Sequence, residues 1–374
     1  MLANSVSINI PKAPNILLGM TFFILFTHLL SGGKFGHVSL FSYFVSLFYL
    51  LIFSLSFYFF LSVFYLVGNK RGNSFVVYQP TRLSNFLLVI LIVAFFVLYV
   101  LAIGVDYDSF LGLRNKLVSL YRGDEVSSDF KLINTVGLLI FFFSSYLYLV
   151  SVNKNLIYAV SALIFPIFMT NRNFILVFAI VVIFKLIYLQ KKVISALFFV
   201  VIFFGFNLLY VFIYDKGDES LGVILSTVLS ILDYMALPLH GLTFSLDNPV
   251  YYGDFLTLPS SVVSWLGYSV SRDYIYTPYP NQTNVYTLFF SILNDFGVFG
   301  IAMFGLFLGL FHAYLYYKSK NSSLFVFVYL FSLYPMLMTF FDNTYTTSVG
   351  VWLYILIPFL FFKKVRLNES TSFN

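Results

Sequence analysis

From Val38 to Val67 the chain runs for thirty residues without a charged side chain, and apolar runs of the same kind recur almost to its end. A helix rising about 1.5 Å per residue needs roughly 20 such residues to cross the ~30 Å hydrocarbon core of a bilayer. Lipid offers the backbone no hydrogen-bond partners, so each run must satisfy its own peptide groups. The runs are continuous rather than alternating, which points to helices and away from a barrel. The expected fold is therefore an all-α polytopic membrane protein, a single integral domain over residues 1–374. Charged residues make up 10% of the chain, against about 25% in a soluble domain. The 50 Phe and 29 Tyr supply lipid-facing bulk and interfacial belts. There is no Cys, which removes thiol chemistry, disulfides and Cys-ligated metals. The first apolar run lacks a small-residue cleavage site and reads as a retained helix.

Segmenting the chain gives ten helices, at about residues 16–30, 38–67, 85–105, 133–150, 156–169, 174–189, 193–214, 296–317, 324–341 and 348–362. Two long polar connections remain, 106–132 after the third helix and 215–295 between the seventh and eighth. Within the second, the apolar segment Leu221–Leu232 stops at Asp233, with Pro238 close behind, and reads as an interfacial or re-entrant helix. With the N-terminus in the cytoplasm, thirteen of the 21 basic residues fall inside, and fourteen of the fifteen acids fall outside. The net charge of +6 is thus an average of a basic inner face and an acidic outer one. This agrees with positive-inside orientation and puts both termini in the cytoplasm. Both long connections then lie outside.

The residues able to carry chemistry collect on that outer side. Arg172 stands between two short helices, where arginine is least expected. It is either a snorkelling anchor or a phosphate ligand, since ionisable groups at membrane depth usually serve a site and a guanidinium binds phosphate bidentately. Arg114 and Arg122 fall near one helix face. With Lys116 they form either a diphosphate grip or part of a charge-mixed solvated loop. Arg272 precedes the aromatic run Tyr274-Ile-Tyr276-Thr-Pro-Tyr279-Pro280. Tyr276, Tyr279 and Tyr286, with Asn284, suit stacking on sugars or interfacial anchoring. For proton transfer the candidates are His240, Asp233, Asp254, Asp273 and Asp295. Asp295 also suits the N-cap of the eighth helix. No phosphate-binding Gly-rich loop, His-x-x-x-His pattern or Gly-x-Ser-x-Gly is present.

Asn284-Val-Tyr286-Thr287, followed by Asn294-Asp295-Phe-Gly297 and Gly300 leading into a glycine-bearing helix, resembles the bacterial oligosaccharide repeat-unit polymerases, or O-antigen polymerases. Thr170-Asn171-Arg172 between two helices is similar to that family's small/polar-Arg element. The ten-helix layout with a late outer loop is similar too. The resemblance implies an inner-membrane enzyme with its active site facing the periplasm. Its substrate would be an undecaprenyl-diphosphate-linked oligosaccharide. A hydroxyl of one lipid-linked unit would attack the anomeric carbon of another chain, and undecaprenyl diphosphate would leave. No cofactor and no metal are expected, because the donor carries its own activation. The implied partners are the bilayer, a chain-length regulator and a flippase; a nucleic acid is not among them. Arg172, Arg114, Arg122 and Arg272 would hold the diphosphate. His240 or Asp295 would accept the proton, and Tyr276, Tyr279, Asn284 and Tyr286 would hold glycan. Two rivals stand beside this reading: an O-antigen ligase acting on lipid A core, and a lipid-linked oligosaccharide flippase.

Overall fold

A computed structural model describes residues 10–30, 38–68, 75–104, 110–122, 128–151, 155–189, 222–247, 287–341 and 349–367, with a few isolated positions between them. The helices are α1 (Ala13–Leu30), α2 (Leu40–Gly68), α3 (Arg82–Ala102), α4 (Phe110–Arg122), α5 (Ser128–Val150), α6 (Asn155–Phe168) and α7 (Arg172–Tyr188). They continue with α8 (Gly222–Asp247), α9 (Leu288–Ser319), α10 (Ser323–Leu337) and α11 (Val349–Leu356). Five of the described helical stretches are long and apolar enough to cross a membrane: α2, α3, α5, α9, and α10 with the short helical turn after it. Four shorter apolar helices, matching α1, α6, α7 and the region of α11, accompany them. The expected seventh helix, 193–214, falls largely outside the described residues.

Local sequence explains the boundaries of α3. Thr81 and Ser84 form a capping box: Ser84 N–H donates to Thr81 Oγ1 at 3.1 Å and Thr81 N–H donates to Ser84 Oγ at 2.9 Å, which satisfies two orphan donors at once. At the other end Gly104 takes φ +83°, the left-handed conformation that closes helices. α2 and α9 form the most extensive helix pair. Their contact is a small-residue seam. A Cβ placed on Gly309 would stand 2.6 Å from the Phe53 carbonyl oxygen, and Ser56 Oγ donates to the Leu306 carbonyl at 2.6 Å. In lipid, close backbone approach and interhelical hydrogen bonds drive association.

The expected all-α fold acquires one small exception. Strands β1 (Phe75–Gln79) and β2 (Lys363–Leu367) pair antiparallel, Val77 opposite Val365. β1 also bridges to the α9–α10 turn, where Val76 N–H donates to the Asn321 carbonyl at 2.8 Å. The β-branched and aromatic residues of Phe-Val-Val-Tyr favour a strand, and the partner lies far along the chain. These contacts define one end of the bundle. The C-terminus of α5 joins it through Tyr146, which hydrogen-bonds Ser323 at 2.7 Å. α7 joins through Lys185, whose ammonium donates to the carbonyls of Tyr148 and Ser151. The strand end carries Arg82, Lys318, Lys320, Lys363, Lys364 and Arg366. The four acids among the described residues, Asp129, Asp233, Asp247 and Asp295, sit on elements of the opposite end or leading to it.

Inside the bundle, the fully buried His312 is bracketed by two hydroxyls, Tyr345 at 2.8 Å from Nε2 and Ser332 at 3.3 Å from Nδ1. Ser332 gives its own proton to the Tyr329 carbonyl at 2.7 Å. Proton accounting therefore makes Nδ1 the donor to Ser332 and Nε2 the acceptor from Tyr345. His312 thus cross-links α9, α10 and Tyr345 within the apolar interior.

Candidate functional site

The turn between α6 and α7 lies at the end opposite the strands. Tyr99, near the C-terminus of α3, donates its hydroxyl to the Phe168 carbonyl at 3.2 Å. Asn171 N–H reaches back to the Pro166 carbonyl at 2.8 Å, and Thr170 is held at φ +49°, the one non-glycine positive φ among the described residues. A β-branched residue there is strained, and such strain gathers at functional positions. Arg172 is the first residue of α7, and the capping position, Asn171, makes no side-chain cap bond. A helix N-terminus with free N–H groups attracts anions. Arginine as the first residue of α7 is of the charge sign that a helix N-terminus disfavours.

α4 occupies part of the expected 106–132 loop. Leu113, Lys116, Leu117 and Leu120 recur at helical spacing, with Leu117 buried and Leu113 and Leu120 packed on the core. Lys116 makes a contact within the fold. Its ammonium donates to the Ile103 carbonyl at 2.6 Å and so caps α3, where a cation complements the negative helix end. At about 100° per residue, positions 114 and 122 fall off this packed stripe.

The apolar segment expected to end at Asp233 is instead part of α8, 26 residues long and continuous through Asp233 and Pro238. A helix interior tolerates proline only against a penalty of about 3 kcal/mol. Here the buried residues Ala236, Leu239, Leu242 and Thr243 offset it through packing. α8 is not among the helices apolar enough to cross a membrane. Its second half docks on the start of α2. Ser39 N–H donates to Thr243 Oγ1 at 3.1 Å, and Ser42 Oγ lies 2.9 Å from the same oxygen. Thr243 gives its proton to the Leu239 carbonyl at 3.0 Å, so it accepts from both serines. This places His240 within electrostatic reach of His28 on α1, whose ring meets Tyr43 edge-on at 5.8 Å. His240 is half-buried, and its Nδ1 is buried without a hydrogen-bond partner. Burial pushes its imidazole below the ordinary value, which keeps it neutral and able to accept a proton.

Asp295 does not cap the helix that follows it. It sits inside α9, two residues before a break at Gly297 (φ 62°, ψ −161°). Its carboxylate accepts Leu256 N–H at 3.0 Å, Thr257 N–H at 2.7 Å and the Thr257 hydroxyl. Asn294 adds a fourth donor at 2.9 Å. The break explains why the eighth helix reads from the sequence as starting near 296: the long apolar segment begins there, and residues 288–296 form a separate helical lead-in. At the head of that lead-in, Thr287 Oγ1 is buried with no partner.

Arg114 and Arg122 on α4, Arg172 on α7, His240 on α8 and Asp295 on α9 therefore sit on elements that reach the same end of the bundle, opposite the strands. They form two groups. α3 gathers α4 and the α6–α7 turn, and α1 and α2 gather α8 while α9 holds the clasp to residues 256–257. Arg272, Tyr276, Tyr279, Asn284 and Tyr286, with Asp254 and Asp273, lie outside the described residues. Sequence reasoning missed His28, Thr243 and Thr257, whose roles arise from contacts more than 30 residues apart. It also missed His312, for which one signal exists: an imidazole in an otherwise uncharged run. Among the described residues no group of three or more His, Cys, Asp or Glu is placed to hold a metal ion. The chain matches no family model, no characterised protein and no solved structure with which it was compared.

Proposed function

We propose that the protein polymerises oligosaccharide repeat units carried on undecaprenyl diphosphate, at the periplasmic face of a bacterial inner membrane. The observation that carries this reading is that a strained, arginine-bearing helix start, an arginine-bearing amphipathic helix and a half-buried imidazole with an unpartnered Nδ1 all lie at the end away from the basic strands. The reaction makes specific demands. The acceptor hydroxyl must lose a proton as its oxygen bonds to the anomeric carbon of the donor. The bond from that carbon to the diphosphate oxygen breaks, and undecaprenyl diphosphate departs with the electron pair. Charge therefore develops on a lipid-anchored diphosphate at the membrane surface. Arg172 and the uncapped start of α7 suit that charge, with Arg114, Arg122 and Arg272 as supplementary cations. His240 suits the proton. The Asp295 clasp ties residues 256 and 257 to α9, and Tyr276, Tyr279, Asn284 and Tyr286 are the proposed glycan contacts.

The test is Arg172→Ala expressed at normal membrane levels. Chain extension is expected to stop while insertion continues. Long-chain polysaccharide from this variant would remove the assignment.

A further inference from the structure

The lead-in of α9 holds a second feature, independent of the proposed reaction. Past the break at Gly297, α2 and α9 run side by side in the same direction. A Cβ on Gly305 would meet Ile52, one on Gly309 would meet the Phe53 carbonyl, and one on Gly68 would meet Tyr317. A straight α9 in that register would set Phe289 about 20 Å along the axis from Tyr49. Instead the Phe289 ring lies 5.2 Å from that of Tyr49 and 5.6 Å from that of Phe340. Residues 288–296 therefore fold back into the bundle. Gly300 makes room for them: a Cβ there would stand 2.8 Å from Ile292 Cγ2 and 3.3 Å from the Ile292 carbonyl oxygen. The backbone of Gly297, at φ 62° and ψ −161°, is a conformation left almost wholly to glycine. The lead-in is thus a half-helix whose N-terminus lies inside the bundle, about 14 Å below the start of α2.

That N-terminus is short of acceptors. The first N–H groups of a helix have no partner within it. Phe290 N–H returns to the Thr287 carbonyl at 3.1 Å, which leaves those of Leu288 and Phe289 without one in the helix. Thr287 is the capping residue, yet its side chain makes no cap bond. Its Oγ1 is buried with no hydrogen-bond partner, and the residue is 2% exposed. Asp295 stands about 12 Å away along the lead-in, with its carboxylate turned to residues 256 and 257. Three donors at the positive end of a helix dipole, in apolar surroundings, fit a negative ligand. Burial keeps that ligand small. The rings packed on Phe289 carry no charge, so the dipole's roughly half charge suits a single negative one. We infer that the buried start of α9 binds a small monovalent anion of the halide class, held by the Thr287 hydroxyl and the N–H groups of Leu288 and Phe289.

The measurement is the Tm of the full chain in neutral detergent, at fixed ionic strength, as sodium gluconate is exchanged for sodium chloride or sodium bromide. Chloride and bromide are expected to raise Tm saturably over gluconate, which is too large to be enclosed. Losing a hydroxyl that bonds a charged group weakens binding by about tenfold or more. Thr287→Val should therefore need at least about ten times the chloride. Thr287→Ser, which keeps the hydroxyl, should respond as the wild type does. If Thr287→Val does not fold, Thr287→Ala supplies the comparison. A Tm indifferent to the exchange would overturn the inference, and is what a water molecule in the same place would give. So would a rise that never saturates, or an undiminished chloride response in Thr287→Val or Thr287→Ala.

Discussion

Thr170 and Arg172 oppose local preference in the same turn, one by a left-handed backbone at φ +49° and the other by a cation at a helix N-terminus. If the strain serves the site, Thr170→Asn, which tolerates that conformation, should raise stability by about 1 kcal/mol while lowering chain extension. A Tm series with a parallel glycan profile checks both halves; a gain in both would make the strain incidental. His240 gives a pH dependence. Its folded value is depressed, so its contribution to stability is present above the unfolded value of about 6.5 and is lost as pH falls toward the folded value. Activity that needs the neutral imidazole should fall over the same acid limb. His240→Gln should abolish that limb in a pH–rate profile, and an unchanged limb would exclude His240 as the base. Arg172 was legible in the sequence because a cation between two apolar runs is conspicuous. His28 was not, because its relation to His240 arises only when α8 folds back onto α1.

Among the elements, the α2–α9 seam depends on Gly309, where the nearest obstacle to a side chain is backbone rather than a movable rotamer. Gly309→Ala should destabilise by roughly 2 kcal/mol, read as a lowered Tm in detergent; an unchanged Tm would mean that the helices part without penalty. The long apolar helices were legible from hydropathy alone, since lipid imposes one requirement along their whole length. α4 and α8 were less so. α4 is short and amphipathic, and it resembles a polar loop until its stripe of Leu113, Leu117 and Leu120 finds the core. α8 contains Asp233 and Pro238, two residues that end isolated helices, and packing against α1 and α2 overrides them. The Asp295 carboxylate shows the same limit. Its place before Phe-Gly suggested a cap, but three of its four donors come from residues 256 and 257, about forty positions earlier.

For the whole molecule, charge asymmetry and connectivity agree. The strand end ties together the α2–α3 connection, the α9–α10 turn and the strand after α11, and it carries Arg82, Lys318, Lys320, Lys363, Lys364 and Arg366. The described elements bearing the proposed catalytic groups lie at the other end. A catalyst for a lipid-anchored donor needs this polarity, with chemistry on one face and anchoring on the other. The most direct test of the proposed activity is the surface glycan profile of a strain lacking the gene. The account expects single repeat units in place of long chains, restored by the wild-type protein and not by Arg172→Ala. Full-length polymer accumulating on the lipid carrier would identify a ligase instead, and repeat units trapped inside would identify a flippase; either result would contradict polymerisation.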